Sequence, residues 1–215
     1  MQSNHKVKKE AVLLCSGGLD STTLAYWLKS QSIPYIPLFL DYGQHCANTE
    51  YERLTTVLPE EYAKKIKRID ISDIYKGNQS LLIKEADLWL DPVDDKDMYL
   101  PYRNLIMLSI GAIFAQTNGI ERVYAAFINS NHVKEIDCTT SFFDQLAKLL
   151  SNYGSIKIEL PFREMTKLDV ARLGLELGAP IANTFSCQTS SKIPCGACPN
   201  CVERLDALEA IAQEH

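Results

Sequence analysis

Short apolar runs alternate with segments of helical periodicity along most of this 215-residue chain. The predicted strands cover residues 11–15, 35–40, 67–71, 122–128 and 156–160, and the predicted helices cover residues 21–29, 51–64, 103–117, 141–151 and 166–177. Strands that alternate with helices form parallel sheets, so the pattern predicts an α/β fold with a parallel sheet and helices on both faces. Ligands of such folds bind at the carboxyl ends of the strands.

Two segments break this alternation. Residues 72–102 carry acidic clusters and little periodicity, and a connection of this length is typical of a lid, a binding loop or a dimer arm. Residues 184–201 hold four of the seven cysteines. No linker-like change in composition separates these segments from the rest. The chain is therefore predicted to be one domain over residues 1–215, with a zinc-binding segment at 184–204.

Charge and composition disfavour several partners, although a local basic patch within an acidic average is an alternative. The net charge is −5, whereas proteins that neutralise nucleic-acid phosphates are usually basic, so nucleic acid is not expected as a partner. The first ten residues are polar, and no apolar run reaches the length of a membrane span. These features predict a cytoplasmic protein with no membrane partner. In that reducing compartment, an odd number of cysteines argues against a disulfide framework.

The six residues SGGLDS at 16–21 follow a predicted strand and open a predicted helix. Glycines let backbone amides approach an anion, and a helix N-terminus offers unpaired amides, so this context suits a phosphate. Ser16 and Ser21 add hydroxyl groups, and Asp20 is placed to hold the Mg²⁺ that accompanies a nucleotide. The alternative is an ordinary strand–turn–helix in which Ser21 or Thr22 caps the helix. No G-x-x-x-x-G-K-[ST] motif is present, which disfavours Walker-type γ-phosphate transfer.

Four cysteines within fifteen residues form the second candidate site: Cys187, Cys195, Cys198 and Cys201. Zinc takes four ligands in a tetrahedron, and C-x-x-C spacings place sulfurs on one side of a turn. Structural zinc with all four positions filled is the favoured interpretation. An iron–sulfur cluster and a redox-active C-x-x-C pair remain alternatives.

These features, in this order, resemble the 7-cyano-7-deazaguanine synthase family of queuosine precursor biosynthesis, within the PP-loop ATP pyrophosphatases. The six-residue loop looks like the SGGxDS signature of that superfamily. The shorter matching fragments are LDYGQ at 40–44, RNL at 103–105, Asn129, Asp137-Cys138, TK at 166–167 with RLGL at 172–175, and the SC and PCG segments at 186–187 and 194–196. The resemblance covers residues 11–209.

The resemblance implies an ATP-dependent C–N ligase. Its substrate would be 7-carboxy-7-deazaguanine, activated as an adenylate with release of pyrophosphate; ammonia would then displace AMP, and a second ATP would carry the amide to the nitrile. The implied cofactors are ATP, Mg²⁺ and Zn²⁺, in a homodimer. The expected nucleotide-binding residues are Cys15, Ser16, Gly17, Gly18, Leu19, Asp20, Ser21, Thr22 and Asp41. The expected catalytic residues are Ser16, Asp20, Ser21, Arg103 and Lys167.

Some of these assignments have alternatives. Thr166 and Asp169 also fit an ordinary capping box, with Lys167 as a solvated first-turn lysine. Residues 133–139 lack the Tyr-Pro and the arginine of the family, so Lys134 or Arg103 would have to hold the substrate carboxylate. The chain could therefore be a paralogue that joins a deazapurine acid to another amine, for example on a protein in a defence system. A tRNA-modifying PP-loop enzyme and a zinc-knuckle binding module with an inactive nucleotide fold are further hypotheses.

Overall fold

The computed structural model describes residues 10–86, 95–128 and 138–213. Within these ranges five strands form one parallel sheet in the order β3-β2-β1-β4-β5: β1 Ala11–Leu14, β2 Tyr35–Asp41, β3 Lys67–Asp70, β4 Arg122–Tyr124 and β5 Lys157–Glu159. The helices are α1 Leu19–Ser30, α2 Ala47–Val57, α3 Glu60–Ala63, α4 Arg103–Thr117, α5 Thr140–Gly154, α6 Lys167–Glu176 and α7 Pro199–Ala212. Single 3₁₀ turns cover Ser72–Tyr75, Asp95–Met98 and Ile181–Asn183.

Helices cover both faces of the sheet, as the sequence predicts. Side chains alternate along a strand, so Leu13 of β1 enters the core shared with α1, α6 and α7, whereas Val12 enters the core shared with α4. Gly174 of α6 lets that helix approach α1 closely, because a Cβ at this position would lie 2.6 Å from the Thr23 hydroxyl oxygen. The strand order reverses between β1 and β4, and ligands of such sheets bind outside the carboxyl ends of the strands there.

Several element boundaries differ from the predicted ones. The predicted helix 51–64 is two helices, α2 and α3, because Leu58 is extended before Pro59, and a residue that precedes proline disfavours the helical conformation. The predicted strand 122–128 ends at Tyr124. Helix α7 starts inside the predicted cysteine loop, with proline at its first position, where the missing amide removes no helical hydrogen bond.

Three residues named in the family resemblance, Asn129, Lys134 and Asp137, lie outside the described residues. Among the helices that the structure describes, none combines the length and apolar character needed to cross a membrane.

Candidate active site and metal centre

The phosphate loop, residues 16–21, joins β1 to α1 and depends on one glycine in particular. Gly17 has φ of +79°, and a Cβ there would lie 2.8 Å from both the Glu50 carbonyl oxygen and the Leu54 amide nitrogen of α2. Gly18 is the N-cap of α1 and supplies no side chain to it, so neither Ser21 nor Thr22 caps the helix. The first-turn amides of α1 therefore keep the unpaired N–H groups that suit an anion.

The hydroxyl group of Ser21 fixes the curvature of the loop. The Ser16 amide donates to the Ser21 Oγ at 3.3 Å, and that Oγ donates to the Gly18 carbonyl at 3.3 Å. The turn is thus held by the Ser21 side chain.

A cavity of about 280 Å³ lies at the carboxyl edge of the sheet, beside the switch point between β1 and β4. Most of the predicted site residues line it: Cys15, Ser16, Gly18, Leu19, Asp20, Ser21, Arg103 and Lys167. Gly17, Thr22 and Asp41 are described by the structure but are not among its lining residues. The Asp41 carboxylate is instead held at the end of β2, where its Oδ2 lies 2.5 Å from Arg68 Nη2 and its Oδ1 accepts from the Gly43 amide.

Lys167 brings the start of α6 to the phosphate loop. Its Nζ lies 2.6 Å from Asp20 Oδ2 and 3.8 Å from Glu203 Oε2 of α7. Thr166 and Asp169 do form a complete capping box, and Lys167 in the same first turn is paired with Asp20 of the loop and is not a solvated lysine. The Asp20 Oδ1 is buried and makes no hydrogen bond to any residue in the described ranges. A buried carboxylate oxygen in this state suits a hard cation such as Mg²⁺.

Glu50 also lines this cavity, although none of the sequence motifs indicates it. Gln44 positions it: the Gln44 Oε1 accepts from the Tyr42 amide at 2.9 Å, and its Nε2 donates to Glu50 Oε2 at 3.0 Å. Burial raises the pKa of Glu50 to about 7, against the smaller lowering effects of the Gln44 hydrogen bond and the charge of Arg103. In the sequence, only the position of Glu50 six residues after Gln44 could have suggested a role in the site. The rest of α2 has the polar pattern of a solvent-exposed helix.

The four predicted metal ligands come together in the structure. The sulfurs of Cys187, Cys195, Cys198 and Cys201 all lie within 4.8 Å of one another, and those of Cys195 and Cys201 are 4.0 Å apart. Zn–S bonds of about 2.3 Å in a tetrahedron separate the sulfurs by about 3.8 Å, which fits this arrangement. An iron–sulfur cluster places several irons and sulfides between its thiolates and would hold them further apart.

Backbone amides donate to two sulfurs of this centre. The amides of Ala197 and Cys198 lie 3.4 and 3.2 Å from the Cys195 sulfur, and the Cys195 amide lies 3.4 Å from the Cys187 sulfur. Hydrogen bonds from the thiols of Cys198 and Cys201 hold the pKa of Cys187 well below its usual value, and these same bonds raise the pKa of the two donor thiols. The donor set therefore suits a cation that binds sulfur.

The cysteine loop, residues 184–201, forms one wall of the cavity. The Phe185 amide donates to the Gly17 carbonyl at 3.1 Å, and Ser186, Gln188 and Asn200 line the cavity. The segment just before α2 also contacts this loop, where the His45 Nε2 lies 3.0 Å from the Gln188 carbonyl oxygen. The two candidate sites are thus in direct contact.

The parallel sheet, the phosphate loop at its switch point and the four-cysteine centre define a PP-loop-like α/β protein. A solved structure described as a 4-thiouridine synthetase–RNA complex with bound ATP shares this fold, with a TM-score of 0.51 and 14% identity. The alignment covers 96% of this chain and 53% of that one, and at this identity it shows the fold alone.

The sequence profile of the family described as "Queuosine biosynthesis protein QueC" matches residues 10–212, and the chain belongs to this family. It is 33% identical over 209 residues to a 7-cyano-7-deazaguanine synthase of Porphyromonas gingivalis, with 94% of this chain and 93% of the relative covered. A protein of the same name from Caldicellulosiruptor bescii is 32% identical over 210 residues, with the same coverage. The family resemblance inferred from the motifs is confirmed.

Proposed function

We propose that this protein is an ATP-dependent ligase that converts 7-carboxy-7-deazaguanine and ammonia into 7-cyano-7-deazaguanine. The observation that carries the proposal is the shared cavity. It is lined both by the phosphate loop and by Arg103, in a member of the queuosine biosynthesis family. Relatives that match nearly the whole chain are named for this reaction.

ATP binds in this proposal with its phosphates on the loop 16–21, where the first-turn amides of α1 face the cavity. Asp20, with its buried and unpaired Oδ1, holds the Mg²⁺ that neutralises phosphate charge. Lys167 already lies against Asp20, so a small movement of its ammonium brings it to the phosphates. Its positive charge stabilises the departing pyrophosphate.

Arg103 holds the substrate acid. It opens α4 and lines the cavity, and a guanidinium binds a carboxylate through two charge-assisted hydrogen bonds. A carboxylate oxygen attacks the α-phosphorus of ATP, and the bond to pyrophosphate breaks. Ammonia then forms a C–N bond at the acyl carbon while AMP leaves with the electron pair. A second adenylation, on the amide oxygen, precedes elimination to the nitrile.

The four cysteines hold one Zn²⁺ in this proposal, with no open position for a metal-bound water. When bound, the ion fixes the cysteine loop against the phosphate loop. We also expect a homodimer, which light scattering coupled to size-exclusion chromatography would test.

One incubation tests the function. The protein is supplied with ATP, Mg²⁺ and 7-carboxy-7-deazaguanine, with and without ammonium, and the products are followed by mass. Accumulation of the nitrile, dependent on ammonium, is the expected result. A product that stops at the adenylate or the amide, or transfer of the acyl group to a protein amine, would point to the paralogue. Absence of any acid-dependent pyrophosphate release would refute the proposal.

A further inference from the structure

Glu50 is an ionisable side chain in the cavity that the steps above leave without a role. It belongs to the first turn of α2, and its own carbonyl oxygen packs against Gly17 of the phosphate loop. Glu50 lines the same cavity as Arg103 and Asp20, and its Oε2 accepts from Gln44, which also lines it. The packing of α2 on Gly17 therefore fixes this carboxylate relative to the phosphates of a bound nucleotide.

A purely structural role does not account for this environment. The carboxylate receives one hydrogen bond, from Gln44, and the residues described show no ion pair to it within 4 Å. A structural acid held by such a pair would have a lowered pKa, whereas burial raises the pKa of Glu50. Groups with this kind of shift, placed in a cleft, are typical of proton transfer.

We propose that Glu50 is the proton acceptor for the nitrogen nucleophile. This inference rests on the proposed function. It adds the residue that accepts protons in the steps after adenylation, in which ammonia displaces AMP and the amide becomes the nitrile. Gln44 is a positioning residue, because its amide is fixed by the Tyr42 amide and the Leu40 carbonyl and directs its Nε2 at Glu50.

Glu50 accepts each proton that the nitrogen loses on the way from ammonia to the nitrile. Neutral ammonia attacks the acyl carbon, and the nitrogen of the resulting addition product carries a positive charge. The Glu50 carboxylate accepts one proton from that nitrogen as the C–O bond to AMP breaks, and the amide results. Glu50 then releases the proton to solvent. In the second stage the amide nitrogen loses two further protons, one on activation of its oxygen and one on elimination of AMP, and the same carboxylate accepts each in turn.

The charged and titratable groups that face Glu50 come from three elements. Asp41 and Tyr42 lie at the end of β2, Cys46 precedes α2, and Arg103 opens α4. Asp41 raises the pKa of Glu50 and Arg103 lowers it. Burial raises the pKa of both Tyr42 and Cys46 well above neutrality, so these two stay uncharged across the range in which Glu50 titrates.

Three rates on the same protein test the proposal: acid-dependent exchange of labelled pyrophosphate into ATP, amide formation with ammonium, and hydroxamate formation with hydroxylamine. Exchange reports adenylation, which precedes the nucleophile. Hydroxylamine is a strong nucleophile that is largely unprotonated at neutral pH and needs less help from a base. For Glu50→Gln we expect exchange within about 3-fold of wild type, amide formation reduced at least about 100-fold, and hydroxamate formation largely retained.

Glu52→Gln is the matched control, because Glu52 is exposed on the same helix. It should leave all three rates unchanged. Equal loss of exchange and amide formation in Glu50→Gln would overturn the proposal, since Glu50 would then serve binding or adenylation. Unchanged amide formation would overturn it as well. If the wild-type protein shows no acid-dependent pyrophosphate exchange, the proposed function itself fails. This outcome is seen without any variant, so it is distinguishable from the two Glu50→Gln results that would overturn the role of Glu50.

The wild-type protein gives a test that does not depend on the folding of a variant. At constant free ammonia, amide formation should rise with pH to a plateau, with its midpoint near the pKa of Glu50 at about 7. Pyrophosphate exchange should lack that inflection. The same inflection in both rates, or in neither, would contradict the assignment.

Discussion

The phosphate loop and the cysteine loop touch each other, but they are specified in different ways. The phosphate loop is a strand–turn–helix whose shape follows from backbone conformation, with Gly17 in a region that other residues rarely adopt. The cysteine loop, all of whose residues the structure describes, follows the 3₁₀ turn Ile181–Asn183 and has no helix or strand of its own before α7 begins at Pro199, and four sulfurs define its centre. The shape of the phosphate loop therefore depends on the backbone conformation that its glycine allows. The shape of the cysteine loop depends on the four sulfur atoms that its side chains bring together.

This difference predicts different consequences of damage. If the four cysteines hold the proposed zinc ion, loss of one of them should affect stability most. If the phosphate loop binds the proposed nucleotide, a change in that loop should affect nucleotide binding first. The Phe185–Gly17 hydrogen bond joins the two loops, so a substitution that displaces one loop can also displace the other.

The largest effect is expected for loss of the metal. Cys198 is fully buried, and Cys198→Ser should lower the free energy of unfolding by more than about 3 kcal/mol, since structural zinc contributes folding energy directly. Thermal unfolding with and without a chelator measures it, and Cys138→Ser, outside the cluster, is the control. Elemental analysis of anaerobically purified protein should give one zinc per chain. Iron with sulfide in its place would contradict the account of this centre.

Next comes Gly17→Ala. The substitution forces a Cβ to 2.8 Å from two backbone atoms of α2, in addition to the cost of about 1 kcal/mol for positive φ. We expect about 2–4 kcal/mol of destabilisation and loss of ATP binding by calorimetry. Gly77→Ala is a matched control, because Gly77 also has positive φ but has open space around its Cβ position. Equal losses in the two variants would show that close packing on α2 is not the cause.

Glu50→Gln should stabilise the protein. The folded-state pKa of about 7 exceeds the ordinary value near 4.5, so the folded protein binds more protons between these pH values. Stability therefore falls as pH rises through this window, and the penalty is largest above pH 7. Removing the charge should raise the free energy of unfolding by about 2–3 kcal/mol at pH 8 and by less at pH 6. A change of the same size at both pH values would indicate another cause.

The smallest effect is expected for Thr49→Val. The Thr49 hydroxyl donates to the Ser191 carbonyl and ties the cysteine loop to α2. Its loss should lower stability by about 1 kcal/mol and speed metal release to a chelator, with nucleotide affinity unchanged. Thr55→Val, on the exposed side of the same helix, is the control. Unaltered metal release would show that this tether does not support the metal centre.

The sequence predicts those parts of the molecule that depend on neighbours along the chain. Alternation of apolar runs indicates the sheet, and the motif at 16–21 indicates the phosphate loop. The Lys167–Asp20 ion pair joins residues 147 positions apart, and no local pattern shows that it forms. Glu50 escapes detection for a related reason: its helix is polar along the sequence, and only the packing of α2 on the phosphate loop brings its carboxylate to the cavity.

The cavity at the carboxyl edge is proposed to activate a carboxylic acid by cleaving ATP between its α- and β-phosphates. Nucleotide products, measured by chromatography after incubation with ATP, Mg²⁺, ammonium and 7-carboxy-7-deazaguanine, test it most directly. We expect AMP and pyrophosphate, formed only when the acid is present and lost in Asp20→Asn. ADP and orthophosphate, or AMP release that does not depend on the acid, would contradict it.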